Sequence, residues 1–429
     1  MKRTTSSLHN PKLKGFAKTF SVSFLNQIVG SGSNFLLGLY LVRVLMPEDF
    51  GLYGIGFAIV LLFTGFGNAL FLTQMVVHLP DKMPEHRNDY ASSMLIMLMA
   101  FCLVVSILIC CIGVSANYIL VDVRQYVVFS FAVLAASIAN LMKWYFIRHA
   151  FSFKKETNAL TVNASWAIIC LLLFVFAKYI QFDLTASVAL FFCAIAGTFS
   201  SIIGFFINNL PLRKNCNRAI ISDFKEAFQG GRWALGGVSV TWLQSQAYVY
   251  ISAILFGTVG VAFANAAKIF ISPFTFIIPA VNSIVLPRLA EQRSKDHKQM
   301  MTFSFHYSLA FFTFGLCYLI FLMLTLELIF PLVIGDKYTI YELKPLIVLW
   351  GIVMVFQLVR NGASNLLQAL KSFKALMLNN LVSGVVAISF TYMLAIQFGV
   401  LGALSGVAIG EFLLSIMLWN KIKKLNKVN

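Results

Sequence analysis

Stretches of about 20 apolar residues, the length that carries an α-helix across a bilayer, recur along the whole of this 429-residue chain. Twelve are readable, at 19–42, 51–76, 91–113, 125–147, 158–178, 184–207, 233–256, 259–286, 304–330, 345–370, 374–396 and 400–420. Charged residues make up 11% of the chain, about half the usual fraction of a soluble protein. No polar face is left for a water-soluble helical bundle. The pattern predicts an all-α integral membrane protein of about 12 transmembrane helices.

The net charge of +17 raises the question of nucleic acid, and the placement of the charge answers it. With a cytoplasmic N-terminus, 26 of the 33 Lys and Arg residues fall in segments on the inner side. Five fall outside (Arg43, Arg124, Lys178, Lys337 and Lys344), and Lys268 and Arg360 lie within spans. That asymmetry is the positive-inside rule. It predicts that both termini are cytoplasmic and assigns the basicity to topology, with no nucleic-acid partner.

A basic N-terminal stretch without a signal-type cleavage site reads as leading into an uncleaved signal-anchor. The seven cysteines show no CxxC spacing, and no outer loop holds a pair, so disulfides and metal sites are not expected. The loops are short, and no cofactor motif is visible. A loose echo links Gly51–Gly54 (GLYG) to Val261–Ala264 (VAFA), and SFK at Ser152–Lys154 recurs at Ser372–Lys374. Both offsets suit six helices plus six: a bundle over 1–207, a basic cytoplasmic linker over 208–232 and a second bundle over 233–429. Two such bundles around a central cavity form the plan of many secondary transporters.

Between the first two spans lies a polar knot, Met46-Pro47-Glu48-Asp49-Phe50-Gly51. Pro47 ends one helix, Glu48 and Asp49 favour the N-terminus of the next through its dipole, and Gly51 permits a tight re-entry. This reading makes the knot structural. The motif PEDFGLY also resembles the polysaccharide flippases (Wzx-type) of the multidrug/oligosaccharidyl-lipid/polysaccharide exporter superfamily, whose outer hairpin commonly reads GPEEFGLY. Gly257–Pro273 (GTVGVAFANAAKIFISP) looks like that family's G…VGLYSAAYRL, and Val285–Gln292 (VLPRLAEQ) is similar to its LPRLS. The resemblance implies a cargo of oligosaccharide repeat units on polyprenyl pyrophosphate, moved across a bacterial cytoplasmic membrane for O-antigen, capsule or exopolysaccharide. It also implies membrane lipids as partners, with a polysaccharide polymerase and chain-length machinery alongside.

Polar residues that face lipid are costly, so polar stripes mark the faces where transport chemistry belongs. Helix 10 carries Gln357, Arg360, Asn361, Ser364, Asn365 and Gln368 at helical spacing. Helix 8 offers Asn265, Lys268, Ser272 and Thr275; helix 7 offers Thr241, Gln244, Ser245 and Tyr248; helix 1 offers Ser23, Asn26, Gln27, Ser31 and Asn34. The bland alternative is that these stripes knit helices together. For the cargo that the resemblance implies, Arg360 and Lys268 suit a diphosphate. Gln357, Asn361, Asn365, Asn265, Gln244, Asn26 and Gln27 then suit sugars, with Trp144, Trp242 and Tyr248 as stacking surfaces.

Glu411 in helix 12 and Glu327 near the outer end of helix 9 are candidates for ion coupling. Drug exporters of the superfamily often carry an acidic residue in helix 1 or helix 7, and neither helix has one here. That weighs against a multidrug or other lipid exporter. No GxxxxGK[ST] loop is present, and neither a long extramembrane loop nor an acidic/His cluster suggests a glycosyltransferase or polymerase. A transporter rather than an enzyme is expected.

Overall fold

A computed structural model describes residues 11–117, 124–210, 217–274, 277–278, 281–282, 285–286, 288–289, 297–370 and 372–428. Every regular element among them is helical. In chain order these are α1 (Pro11–Val44), α2 (Pro47–Gly67), α3 (Thr73–His78), α4 (Arg87–Asn117), α5 (Arg124–Ser152), α6 (Glu156–Tyr179) and α7 (Ala186–Asn208). Then come α8 (Asn217–Ile269), α9 (His297–Ile334), α10 (Ile340–Ala369) and α11 (Phe373–Val428). A π-helical turn, Asn68–Leu72, joins α2 to α3.

Nine helical stretches among the described residues are long and apolar enough to cross a membrane. Two of them are broken in the middle. Gly257 (φ 67°, ψ −167°) interrupts α8, and Phe398–Gly399 interrupts α11, with Gly399 at φ 64°. Positive φ is a conformation that glycine alone adopts without penalty. The breaks fall between the sequence runs 233–256 and 259–286, and between 374–396 and 400–420. Past the second break, Gly402, Gly406 and Gly410 pack on Leu394, Thr391 and Ala387 so closely that a Cβ at any of them would lie within 2.3 Å of its neighbour. Small residues four apart let membrane helices touch backbone to backbone. Of VLPRLAEQ, Pro287 and 290–292 lie outside the described residues, as does Thr275.

Two compact units divide the chain: residues 1–34, 63–183 and 187–235 form the first, and 35–62, 184–186 and 236–429 the second. The first has a core of Leu72, Met75, Tyr90, Met94, Leu141 and Tyr145; the Tyr145 hydroxyl donates to the Ala91 carbonyl at 2.7 Å. In the second, Leu289, Met300, Leu366, Leu414 and Leu418 cluster together. Thr339 starts α10 with a capping box, its hydroxyl accepting from the Glu342 amide while Glu342 accepts from the Thr339 amide at 3.2 Å.

Within the second unit the polar knot is a junction. Helix α2 begins at Pro47 with Glu48 and Asp49 in its first turn. The Asp49 carboxylate also accepts from the Ala186 amide at 2.8 Å, capping the N-terminus of α7. Lys337 donates to the Val44 and Leu45 carbonyls, so a cation caps the C-terminal end of α1. Gly51 lies against Thr258 and Ala262, and Gly54 against Val261 and Asn265. GLYG and VAFA, the two ends of the faint internal echo, are packed on each other.

Candidate functional site

The helix-10 stripe of the sequence lies on α10 and splits between two sets of neighbours. Its upper part turns to α11: the Arg360 Nε lies 3.0 Å from the Glu411 Oε2, and the Gln357 amide donates to the Glu411 Oε1 at 3.1 Å. The Arg360 contact is a close charge pair rather than an aligned hydrogen bond. Glu411 is nearly sealed, with its side chain 8% exposed, whereas Arg360 is 27% exposed. No other partner of this guanidinium exists among the described residues. Glu411 therefore fixes Arg360 through one nitrogen and leaves its outer edge free for the oxygens of an anion.

The lower part of the stripe is a knot of amides. Asn361 donates to the Asn282 Oδ1 at 2.7 Å and to the Tyr307 hydroxyl at 3.0 Å, and Asn365 donates to the same Asn282 oxygen at 2.7 Å. Asn282 returns a bond to Asn361 at 3.1 Å. These groups satisfy one another, which is the helix-knitting role of membrane amides. Asn282 and Tyr307 escaped the sequence reading: Asn282 lies seven residues beyond Thr275, where the stripe read along 259–286 stopped, and no polar stripe was read on the helix of Tyr307. Gln368 bonds to Ser364 on its own helix, at 3.2 Å.

A second cationic cluster surrounds Lys268. Its ammonium donates to the Tyr248 hydroxyl at 3.2 Å and lies 4.8 Å above the Trp350 ring, and Tyr248 donates to the Asn265 Oδ1 at 2.9 Å. Trp350 is held edge-on to Tyr248 and donates to the Ala264 carbonyl at 2.8 Å. Aromatic faces stabilise a desolvated cation by about 2 kcal/mol, so Lys268 is supported without a carboxylate. Tyr248 is buried in this cage, and Trp242 is tied to the Ala58 carbonyl at 3.0 Å. Trp144, on α5, has Arg148 5.8 Å over its ring.

Other expected site residues are dispersed. Gln244 is buried and donates to the Ser383 hydroxyl at 3.4 Å. In the first unit Asn26 accepts from Asn163 at 2.9 Å, and Gln27 bonds to Ser31 along its own helix. Glu327 is exposed on α9, with no ion pair among the described residues.

Lys143 is a correction. The inner-side charge count included it, near the end of the run 125–147, yet it lies well inside α5, nine residues before Ser152, about 13 Å along a helix. Its side chain is 3% exposed, with the ammonium 4.1 Å over the Trp166 ring.

Nine apolar helical stretches among the described residues, with a paired and a caged cation along them, give the chain the architecture of a multi-pass membrane protein. Solved structures agree on the fold. An inward-facing multidrug resistance MATE family transporter of the MOP superfamily is 15% identical, with a TM-score of 0.68 over 92% of this chain and 94% of that one. Lipid II flippase MurJ in an inward closed conformation is 14% identical, with a TM-score of 0.69 over 94% and 87%. A MOP superfamily transporter from Pyrococcus furiosus is 16% identical, with a TM-score of 0.65 over 98% of each chain. Residues 16–293 match the polysaccharide biosynthesis protein family, and the chain belongs to that family. Comparison with curated proteins finds no match.

Proposed function

We propose that this protein exports a lipid-linked oligosaccharide, carried on polyprenyl pyrophosphate, from the inner to the outer leaflet of a bacterial cytoplasmic membrane. Membership of the polysaccharide biosynthesis family carries this reading, and the open edge of Arg360 gives it a chemistry. Glu411 orients the guanidinium, the diphosphate occupies its free side, and Lys268 supplies a second positive charge. The lipid tail stays in the bilayer. Amides and aromatic rings of the stripes, among them Gln357, Asn265 and Gln244, contact the sugars. Glu411, already paired to the cation that grips the cargo, is the preferred coupling group over the exposed Glu327. Two bundles, 1–207 and 233–429, joined through 208–232, carry the alternating access. The polymerase and chain-length machinery act on the delivered unit. Export of drugs is the second reading, since the fold is shared with a multidrug transporter; the lack of an acidic residue within α1 weighs against it.

Removing the protein from its host should stop surface polysaccharide while completed lipid-linked repeat units accumulate on the cytoplasmic leaflet. Unfinished repeat units would point to an enzyme, and unchanged polymer with altered dye resistance to a drug exporter.

The orientation has its own test. On a cysteine-free background, Asp336→Cys should react with an impermeant thiol reagent added to intact cells, and Lys154→Cys only after permeabilisation. Both positions are exposed. Labelling of Lys154→Cys in intact cells would invert the topology.

A further inference from the structure

The first turns of α8 sort their charges by face. Between Asn217 and Arg232 the acids are Asp223 and Glu226. At helical spacing they share the side that carries Ala227 and Gly231, both buried. Glu226 lies 2.6 Å from the Lys82 ammonium and 3.3 Å from the His78 imidazole. Ala227 enters the core of the first unit, and a Cβ on Gly230 or Gly231 would meet Gln74 or Leu70. The opposite side carries Ile221, Phe224, Lys225, Phe228 and Arg232 at i, i+3, i+4, i+7 and i+11, all exposed. The two phenylalanine rings stack on each other at 5.6 Å. Ser222 and Gln229, exposed as well, form a polar flank on the side of Lys225.

The level of this stripe in a membrane follows from what the other side of the helix touches. Lys82 stands in the turn between the apolar stretches Pro47–Asp81 and Pro84–Ile107, where the chain leaves the bilayer and returns. Arg87 secures that turn by donating to the Lys82 and Pro80 carbonyls, each at 3.2 Å. The next apolar stretch of α8 begins at Ala234. The stripe therefore lies at the bilayer edge, before its own span and beside the end of another. A face turned to acyl chains has no place for a lysine. One turned to water would not gather Ile221, Phe224 and Phe228 in a single row. A row that mixes the two suits the headgroup boundary, where rings insert and basic side chains reach outward to phosphate. We propose that this stripe binds anionic phospholipid headgroups in the leaflet that borders the 82–83 turn. That leaflet is the inner one on the positive-inside reading, and only its name rests on that reading. Phe224 and Phe228 enter the acyl boundary, while Lys225 and Arg232 meet the phosphate oxygens. With both acids turned inward, the outer side holds no charge that would repel such a lipid.

The test uses the purified full-length protein on a cysteine-free background, reconstituted in phosphatidylcholine vesicles. A bimane label is placed at Phe228→Cys or at Ser222→Cys. Nitroxide-labelled phosphatidylglycerol should quench the Phe228→Cys label with a higher association constant than nitroxide-labelled phosphatidylcholine. Lys225→Gln, a change at an exposed position, should lower that preference about fivefold, the effect of one basic residue at an anionic surface. Iodide in the water should quench the label at Ser222→Cys and spare the one at Phe228→Cys. Equal quenching by the two lipids, or a preference that survives Lys225→Gln unchanged, would overturn the lipid site. Ready quenching of the Phe228→Cys label by iodide would overturn it too, and would make the stripe a surface for a soluble partner. Should Phe228→Cys fail to fold, Phe224→Cys takes the same measurement from the neighbouring ring. None of these readouts needs transport, so failure of the flippase reading would leave them standing.

Discussion

Replacing Gly51 by leucine should abolish export and leave little folded protein in the membrane. A Cβ at this position would sit 1.7 Å from the Thr258 carbonyl oxygen and 2.6 Å from its carbon. Both atoms are backbone, so no side chain can swing aside. Helix α2 would have to retreat from this part of α8 by more than an ångström, and the same face carries the Gly54 contact with Asn265. Asn265 in turn accepts from the Tyr248 hydroxyl that holds Lys268. Overpacking of a tight site costs about 1–3 kcal/mol, occasionally more, and here it also loosens the cage. Gly51→Ala should be impaired in the same direction. Gly38→Leu is the control, since a Cβ there meets nothing within 4 Å. Thermal unfolding of purified protein and surface polymer in cells are the measurements. Wild-type values for Gly51→Leu would show that this approach of the two helices is unnecessary.

The second large effect is expected at Glu411. Glu411→Ala removes the partner of Arg360 and the acceptor of Gln357, leaving a half-buried charge without compensation. Breaking a buried pair from one side typically costs about 3–5 kcal/mol, so a sharp fall in unfolding midpoint and in membrane abundance should follow. Arg360→Met alone should also destabilise, because Glu411 is the more deeply buried member. The double change Arg360→Met with Glu411→Leu should recover stability, as apolar replacement of a buried pair is often neutral or better. It should not recover export, because the anion-gripping edge is gone. Arg360→Lys should keep part of the activity, retaining charge without the planar fork. A coupling energy below about 0.5 kcal/mol in this double-mutant cycle would mean that the pair does not act as a unit. Full export by a well-expressed Arg360→Ala protein would remove the guanidinium from the substrate site.

The helical membrane architecture was legible because a bilayer reads residues one at a time. An apolar run of sufficient length has no other low-energy state, and the breaks at Gly257 and Phe398–Gly399 fall where the runs pause. The knot at Pro47–Gly51 could be read as a helix end and restart, since proline, acidic residues and glycine act through their own backbones. Polar stripes showed which positions on α10 share a face. Periodicity does not say what that face meets, and here one stripe serves two clusters: Gln357 and Arg360 meet Glu411, while Asn361 and Asn365 meet Asn282 and Tyr307. Those partners lie tens of residues away in sequence, and helices in lipid have no gradient of hydrophobicity to select a neighbour. The setting of Lys143 was hidden for the same reason: the run 125–147 already contained it, and only the packing of α5 shows its side chain sealed against Trp166. Span lengths and chain reversals were set by local chemistry; the pairing of Arg360, the cage of Lys268 and the isolation of Lys143 were set by which helices pack together.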